Sequence, residues 1–414
     1  MNRCALAACL VLICGTAMAD DFLPTDDLAL RAIGEQPEVR AATADVEAAR
    51  AEARGLDAGP HEWTLGVIPQ QRTTRNGASF HEWETQLGRS FRWPGKARLD
   101  REIGEHARNG AELRLDDVRH QAARRLASAW MDWLRTGTVV IAADAQLALV
   151  QRQRDVVARR VSLGDASVRE REMLDAECAQ WQVEALAAQR EADSARQRLS
   201  TGFPTLPVPE RLPALPEPQP LEGGATPWRE RIVARSHEIS AAMEEAARQD
   251  ALARRSRADR RADPEIGVRV MRERDGAESA IGIVLGIPFG GARRAANADR
   301  EAARADAMQA QAQAMRRQIE IEAWETVHRA ESLRDAWRMR VVALEATTAV
   351  AARTKRAYEL GETSLTELLF AQRNARQAAL DEARARVDAL EAALLVRIDA
   401  HETWHPADDE GPQS

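Results

Sequence analysis

Aromatic side chains are scarce, at 4% of 414 residues, while charged residues make up 30%. That balance disfavours one thick core built around rings and suits long helices packed side by side. Cysteine is scarcer still. Of the four cysteines, Cys4, Cys9 and Cys14 lie close to the N-terminus, which leaves Cys178 alone in the rest of the chain and excludes a disulfide framework. No stretch beyond the N-terminal segment reaches the roughly 18 consecutive apolar residues that a membrane-spanning helix needs. An excess of positive charge is lacking too. The formal net charge is −7, and arginines alternate with glutamates instead of clustering, so nucleic acid is not an expected partner.

Motifs that carry covalent chemistry are also missing. The eight histidines form neither H-E-x-x-H nor a Cys/His cluster at metal-ligand spacing. No G-x-S-x-G, P-loop or G-x-G-x-x-G occurs. His401 and His405 could share a helix face, but the proline after His405 points to a loose end. No catalytic residue, metal site or cofactor is expected, and the chain reads as a protein that is not an enzyme.

What is present begins with an export signal. Arg3 supplies a positive start, the stretch from Ala5 to Gly15 is apolar, and Ala17-Met18-Ala19 is an A-x-A cleavage site. This predicts a cleaved signal peptide over residues 1–19, leaving Asp20 first. Leu6-Ala7-Ala8-Cys9 has the outline of a lipoprotein box, but the apolar stretch before Cys9 is too short for one. An exported chain with no spanning helix is soluble in the periplasm, secreted, or inserted as a β-barrel. The existence of strands therefore matters.

The chain repeats itself. Glu38-Val39-Arg40-Ala41-Ala42 returns as Glu238-Ile239-Ser240-Ala241-Ala242, and Leu65-Gly66-Val67 as Ile266-Gly267-Val268. Pro94-Gly95-Lys96-Ala97-Arg98 returns as Phe289-Gly290-Gly291-Ala292-Arg293, and Leu163-Gly164-Asp165-Ala166-Ser167 as Leu360-Gly361-Glu362-Thr363-Ser364. Four matches in one order, at offsets of 195 to 201, indicate a tandem duplication. Residues 20–203 form one copy and 228–400 the other. Between them, residues 204–227 carry eight prolines, which forbid helix and favour an extended linker. The polar tail, residues 401–414, is expected to fray.

Each copy reads as helix, two strands, very long helix, turn, helix. The first helix is expected over about residues 26–55 and its counterpart over about 228–262. Strand patterns follow. Trp63, Leu65 and Val67 share one phase, as do Trp83, Leu87 and Phe91, with Glu82, Glu84 and Gln86 on the opposite side. In the second copy Ile266, Val268 and Val270 alternate with Gly267 and Arg269, and Ile281, Ile283, Leu285 and Ile287 alternate with small residues. Apolar on one face, polar or small on the other, with tryptophans near the ends, is the pattern of lipid-facing barrel strands. An ordinary antiparallel sheet would share it. Asp275-Gly276 suits the tight turn between the second pair.

Residues 97–161 and 292–358 hold no proline and little strand signal. Helices of that length reach on the order of 100 Å and persist only by packing along their whole length. Leu174, Cys178, Trp181, Ala185, Ala188, Ala192, Ala195 and Leu199 step by four and three in turn, a heptad seam narrow enough for close helix approach. Cys178 on that seam reads as a small buried hydrophobe. Four strands cannot close a pore, which needs about eight. If the strands enter a membrane, several copies must each contribute.

These features resemble the TolC family of outer-membrane channels, and in particular its CzcC-like heavy-metal efflux branch. The resemblance spans residues 26–400. It rests on the duplicated plan, on the two post-hairpin motifs, and on Tyr358-x-x-Gly361-x-x-Ser364-Leu365-x-x-Leu368-Leu369-x-Ala371-Gln372-Arg373. It implies a mostly α chain with a small β part, assembled as a homotrimer whose twelve-stranded barrel continues into a long periplasmic helical barrel. It further implies contact with outer-membrane lipid, a periplasmic adaptor and an inner-membrane RND-type pump. Leu163, Gly164, Ser167, Leu360, Gly361 and Ser364 would form the adaptor-docking tip. Glycine suits a helix end at positive φ, and the serines fall where the returning helices need N-caps. Glu170 and Glu367 would form an acidic gate ring favouring cations, with Met173 and Phe370 making the constriction below greasier than in some relatives. The implied function is passive conduction of substrate, heavy-metal cations by branch. A periplasmic coiled-coil adaptor or scaffold, or a duct for drugs or secreted polypeptides, stays open at this level.

Overall fold

The computed structural model describes residues 21–405. The expected signal peptide and the end of the tail lie outside them. The chain is mostly α, with one small antiparallel sheet.

The expected first helix is two: α1, Asp26–Gly34, and α2, Pro37–Ala58. Gln36 is extended, with ψ 139°, because a residue before proline is pushed out of the helical region. Pro37 then starts α2, where its missing N–H costs nothing. The second copy breaks at the matching place without a proline. Here α5, Ala225–Arg235, and α6, His237–Ala258, meet at Ser236, whose hydroxyl accepts from the Ile239 amide at 3.2 Å.

Strands β1, Thr64–Thr73, and β2, Ser79–Ser90, come from the first copy. β3, Glu265–Glu273, and β4, Glu278–Gly286, come from the second. They form one sheet in the order β1-β2-β3-β4, antiparallel throughout. Asp275, at φ 52°, sits in the tight connection between β3 and β4.

Each hairpin runs straight into a long helix, α3, Pro94–Ser162, or α7, Ala292–Glu359. At 69 and 68 residues each extends about 100 Å. Shorter partners, α4, Val168–Gly202, and α8, Leu365–Asp399, return antiparallel to them. The heptad seam on α4 faces inward. Leu174, Cys178, Ala195 and Leu199 are buried, and the four residues between them are half-buried. Burial raises the Cys178 thiol pKa, which leaves the sulfur an inert packing atom.

The main core lies midway along the bundle. Leu126, Trp130, Met131 and Leu134 of α3 meet Ile33 of α1, Val46 of α2 and Leu394 and Ile398 of α8. The proline-rich segment lies down on this core. Phe203 and Leu206 are buried in it, and Val208, Leu212 and Leu215 pack beside it. Leu212 comes so near α3 that a Cβ at Gly137 would stand 2.7 Å from its Cδ1. A larger residue at position 137 would have to displace the Leu212 side chain. The tail also departs from expectation. It does not fray at residue 401: Ala400 and Trp404 are buried, Trp404 within the main core.

Candidate functional site

The sheet forms one end of the molecule's chemistry. Register places Leu65, Leu87, Val268 and Ile283 in one row across all four strands, with Val67, Thr85, Val270 and Ile281 in the next. This face is exposed: Ile281 and Ile283 are 78% and 83% accessible. Trp63, Trp83, Phe91, Ile266, Leu285 and Ile287 are exposed as well. The opposite face is polar and internally bonded. Glu82 accepts from Gln70 at 2.9 Å and Arg72 at 3.1 Å, and Arg72 also reaches Glu273 at 3.0 Å. A contiguous exposed apolar face of this kind marks an interaction surface. The outer edges of β1 and β4 have no strand partner among the described residues. Strands of 9 to 12 residues match what a tilted strand needs to cross a bilayer, about 9–11.

A collar of buried charge fixes the sheet to the helices. Lys96, in the first turn of α3, is 2% exposed and bonds Asp263 at 2.8 Å, Asp259 at 2.9 Å and the Arg261 carbonyl at 2.6 Å. Asp263 also holds His61 at 2.9 Å. Burial alone would raise the Asp263 carboxyl, but bonds from Lys96 and His61 outweigh it and hold the pKa below the ordinary value. Arg92 and Arg255 share Asp100 at 2.7 and 2.6 Å. The sequence marked Lys96 only as part of a repeated motif. The position matching it in the second copy is Gly291, so the collar is built once.

At the far end of α3 and α7 lie two turns. Gly164 and Gly361 have φ of 84° and 78°. The next amides, of Asp165 and Glu362, bond back to Arg160 and Ala357 at 2.9 and 2.8 Å, closing Schellman-type helix ends. Ser167 and Ser364 cap α4 and α8. Each hydroxyl accepts from the amide of Glu170 or Glu367 at 3.2 Å, and each glutamate reaches back to the serine amide, at 3.0 and 3.3 Å. These are complete capping boxes, so both expected gate acids have a local structural role. Leu163 and Leu360 are exposed at the turns. Met173 packs against the buried cluster of Leu174, Cys178, Leu365, Leu368 and Leu369, whereas its counterpart Phe370 is exposed. The two copies therefore present different tips. Tyr358, beside Glu170 and Arg160, has its pKa raised by burial first and by Glu170 next.

Sequence reading missed one cluster entirely and one member of another. Behind the tip, buried Glu177 of α4 accepts from Trp181 at 3.0 Å, Arg373 at 3.0 Å and Arg376 at 3.3 Å. Arg376 also lies 5.0 Å over the Trp181 ring. Near the main core, His237, His401 and His405 stack, with ring centroids 4.5 Å (His237–His401) and 4.2 Å (His401–His405) apart. Burial, then neighbouring His405 and His237, pushes the His401 pKa down to about 2, so its imidazole is neutral.

No protein-family model matches the sequence, and none of the curated proteins matches it. Solved structures do. CusC aligns over 90% of this chain and 91% of its own, at 17% identity and TM-score 0.75. The outer membrane protein VceC of Vibrio cholerae aligns over 91% and 96%, at 16% and 0.74. The CmeC outer membrane channel of Campylobacter jejuni aligns over 94% and 88%, at 14% and 0.73. The fold is that of an outer-membrane channel. In this channel fold the sheet presents an exposed apolar face and, among the described residues, two open edges, and the paired turns stand exposed at the opposite end of the long helices.

Proposed function

We propose that the chain is the outer-membrane channel of a tripartite efflux system and does no covalent chemistry. One observation carries this reading: a four-stranded sheet, apolar and exposed on one face and open at both edges, runs directly into helices of about 100 Å. Alone, such a sheet leaves backbone donors and acceptors unpaired in water or in lipid. Pairing β4 of one copy with β1 of the next removes both edges, and three copies close twelve strands. Trp63, Leu65, Val67, Trp83, Leu87, Phe91, Ile266, Val268, Val270, Ile281, Ile283, Leu285 and Ile287 then face lipid. Residues 1–19 direct export, and the two repeats, 20–203 and 228–400, each contribute a hairpin.

The helical barrel extends into the periplasm, where the turns at Leu163, Gly164 and Ser167, and at Leu360, Gly361 and Ser364, dock the adaptor that joins the channel to its pump. Heavy-metal cations are the cargo, on the strength of the CzcC-like sequence resemblance. Glu170 and Glu367 contribute a cation-favouring ring at the tip, next to Met173 and Phe370.

Purified chain in detergent, sized by native mass spectrometry and inserted into planar bilayers, tests the assembly. A trimer with stable conductance is expected; a detergent-free soluble monomer ends the reading. Glu170→Gln with Glu367→Gln keeps both capping boxes, since glutamine serves at that position, and removes the charge. Cation preference should fall. Unchanged selectivity removes the ring assignment while leaving the channel.

A further inference from the structure

The histidine cluster is not used by the channel reading. Its three members come from separate places: His237 is the first residue of α6, and His401 and His405 flank the turn that follows α8. The turn is unusual. His401 and Trp404 have φ of 57° and 55°, a left-handed conformation that is costly for a bulky side chain. Such conformations persist where surrounding structure over-determines them, and they gather at functional sites. Here Trp404 is buried in the main core, and the turn it anchors brings His401 and His405 back onto His237.

The ring nitrogens lie close together. One ligand atom from each histidine lies within 4.8 Å of the other two, and Nε2 of His237 is 3.4 Å from Nε2 of His405. A tetrahedral ion with metal–nitrogen bonds of about 2.0–2.1 Å sets its ligands roughly 3.3–3.4 Å apart, so one edge of the tetrahedron already stands at its final length. The three rings stack at interplanar angles of 20° and 12°, so binding an ion requires them to turn about χ2 until their in-plane lone pairs meet at one point. A fourth histidine and a carboxylate lie beside the cluster. His120 lies tilted against His401, with centroids 5.5 Å apart, and its Nε2 is 3.3 Å from Asp399. Asp399 is also held by Arg124, and Arg235 bonds the Ala400 carbonyl. His401 borders a cleft of about 290 Å³ shared with His120, Asp399 and Glu238.

We propose that His237, His401 and His405 form a three-imidazole site for a divalent transition cation of the zinc or copper class, tying the C-terminal turn to the start of α6. Imidazole donors without thiolate suit these metals over calcium or magnesium. Three protein ligands leave a fourth position for water. The site joins the second repeat to the tail within one chain, so it is a clasp within each chain.

The test uses untagged full-length protein in detergent, stripped with EDTA and titrated calorimetrically with zinc chloride. One zinc per chain is expected, with affinity at least tenfold weaker in His401→Gln and in His405→Gln. Cobalt(II) in place of zinc should give the intense visible bands of a tetrahedral imidazole site, lost in the same variants. Circular dichroism and oligomer size confirm that the variants fold. If a variant fails to fold, diethylpyrocarbonate labelling of the wild type with and without zinc decides, because bound metal protects the three histidines. Zinc uptake unchanged by both substitutions, protection confined to other histidines, or no uptake at micromolar zinc would each overturn the site.

Discussion

Glu177 and Arg376 meet at 3.3 Å between α4 and α8, both almost fully removed from solvent, with side-chain exposures of 1% and 13%. The acid comes from the first repeat and the base from the second, and the repeat does not duplicate them: the positions equivalent to Glu177 and Arg376 are Asn374 and Ala179. Arg376 is poorly compensated. Its Nε and Nη1 are buried without a hydrogen-bond partner, and burial lowers its pKa to about 10 despite the attraction of Glu177. Bonds from Arg373 and Trp181 outweigh burial and keep Glu177 below the ordinary carboxylate range.

Glu177→Gln should therefore strand a buried guanidinium. Removing one partner of a buried pair costs about 3–5 kcal/mol. Hydrogen exchange along α4 and α8 should rise by two or more orders of magnitude near residues 174–181 and 369–377. Arg373→Gln is the control. Arg373 is 61% exposed, so its loss should cost no more than about 1 kcal/mol. Equal effects of the two substitutions would show that Arg376 does not depend on Glu177.

The turn glycines give a prediction of a different kind. A Cβ built on Gly164 or Gly361 meets nothing within 4 Å, so packing does not demand glycine there. The left-handed φ does. Gly164→Ala and Gly361→Ala should each cost roughly 1–2 kcal/mol from backbone conformation alone, read as faster exchange of the Asp165 or Glu362 amide with the rest of α3 or α7 unchanged. Protection lost along the entire helix would mean that the turns organise the hairpins instead of merely closing them.

Much of this architecture was legible because it is periodic or punctuated. Alternation fixed the apolar face of each strand, and the observed register lines Leu65 up with Leu87, Val268 and Ile283. Missing proline marked the long helices. Pro37 carried the signal for the split between α1 and α2 but was passed over in expecting one helix, and Ser167-x-x-Glu170 and Ser364-x-x-Glu367 carried the capping boxes, although the glutamates were read for a gate alone. What sequence could not supply was pairing at a distance. Lys96 and Asp263, or Glu177 and Arg376, lie 167 and 199 positions apart, and nothing local marks either pair as buried. His401 and His405 were noticed together, but the proline beyond them suggested a loose end. Trp404, the residue that seats the turn, sat unremarked between them.

The apolar sheet face should be intolerant of charge in only one direction. Ile283→Arg projects from the exposed face and should cost about 2–4 kcal/mol if that face meets the bilayer midplane. Gly282→Arg, one residue earlier, points to the polar side with Arg269. Measured as the fraction of chain recovered as outer-membrane oligomer, the first substitution should reduce recovery severalfold and the second should not. A reversed order, or equal recovery, would place lipid on the wrong face or on neither.

The depressed pKa of His401 sets a pH dependence whose sign can be worked out. Its ordinary value is 6.5, and packing lowers it to about 2. When the tail detaches, the imidazole regains its ordinary affinity for a proton. Above pH 6.5 both states are neutral and packing keeps its full strength. As pH falls below 6.5 the detached state gains a proton that the packed state refuses, so tail stability is lost on acidification. The slope approaches 1.4 kcal/mol per pH unit for one proton. Between pH 6.5 and 5, above the carboxylate range, EDTA-treated protein should lose exchange protection at residues 400–405. His401→Phe keeps a flat ring but cannot take a proton, so its protection should vary less with pH in that window. Identical pH profiles for wild type and variant would mean that another group drives detachment.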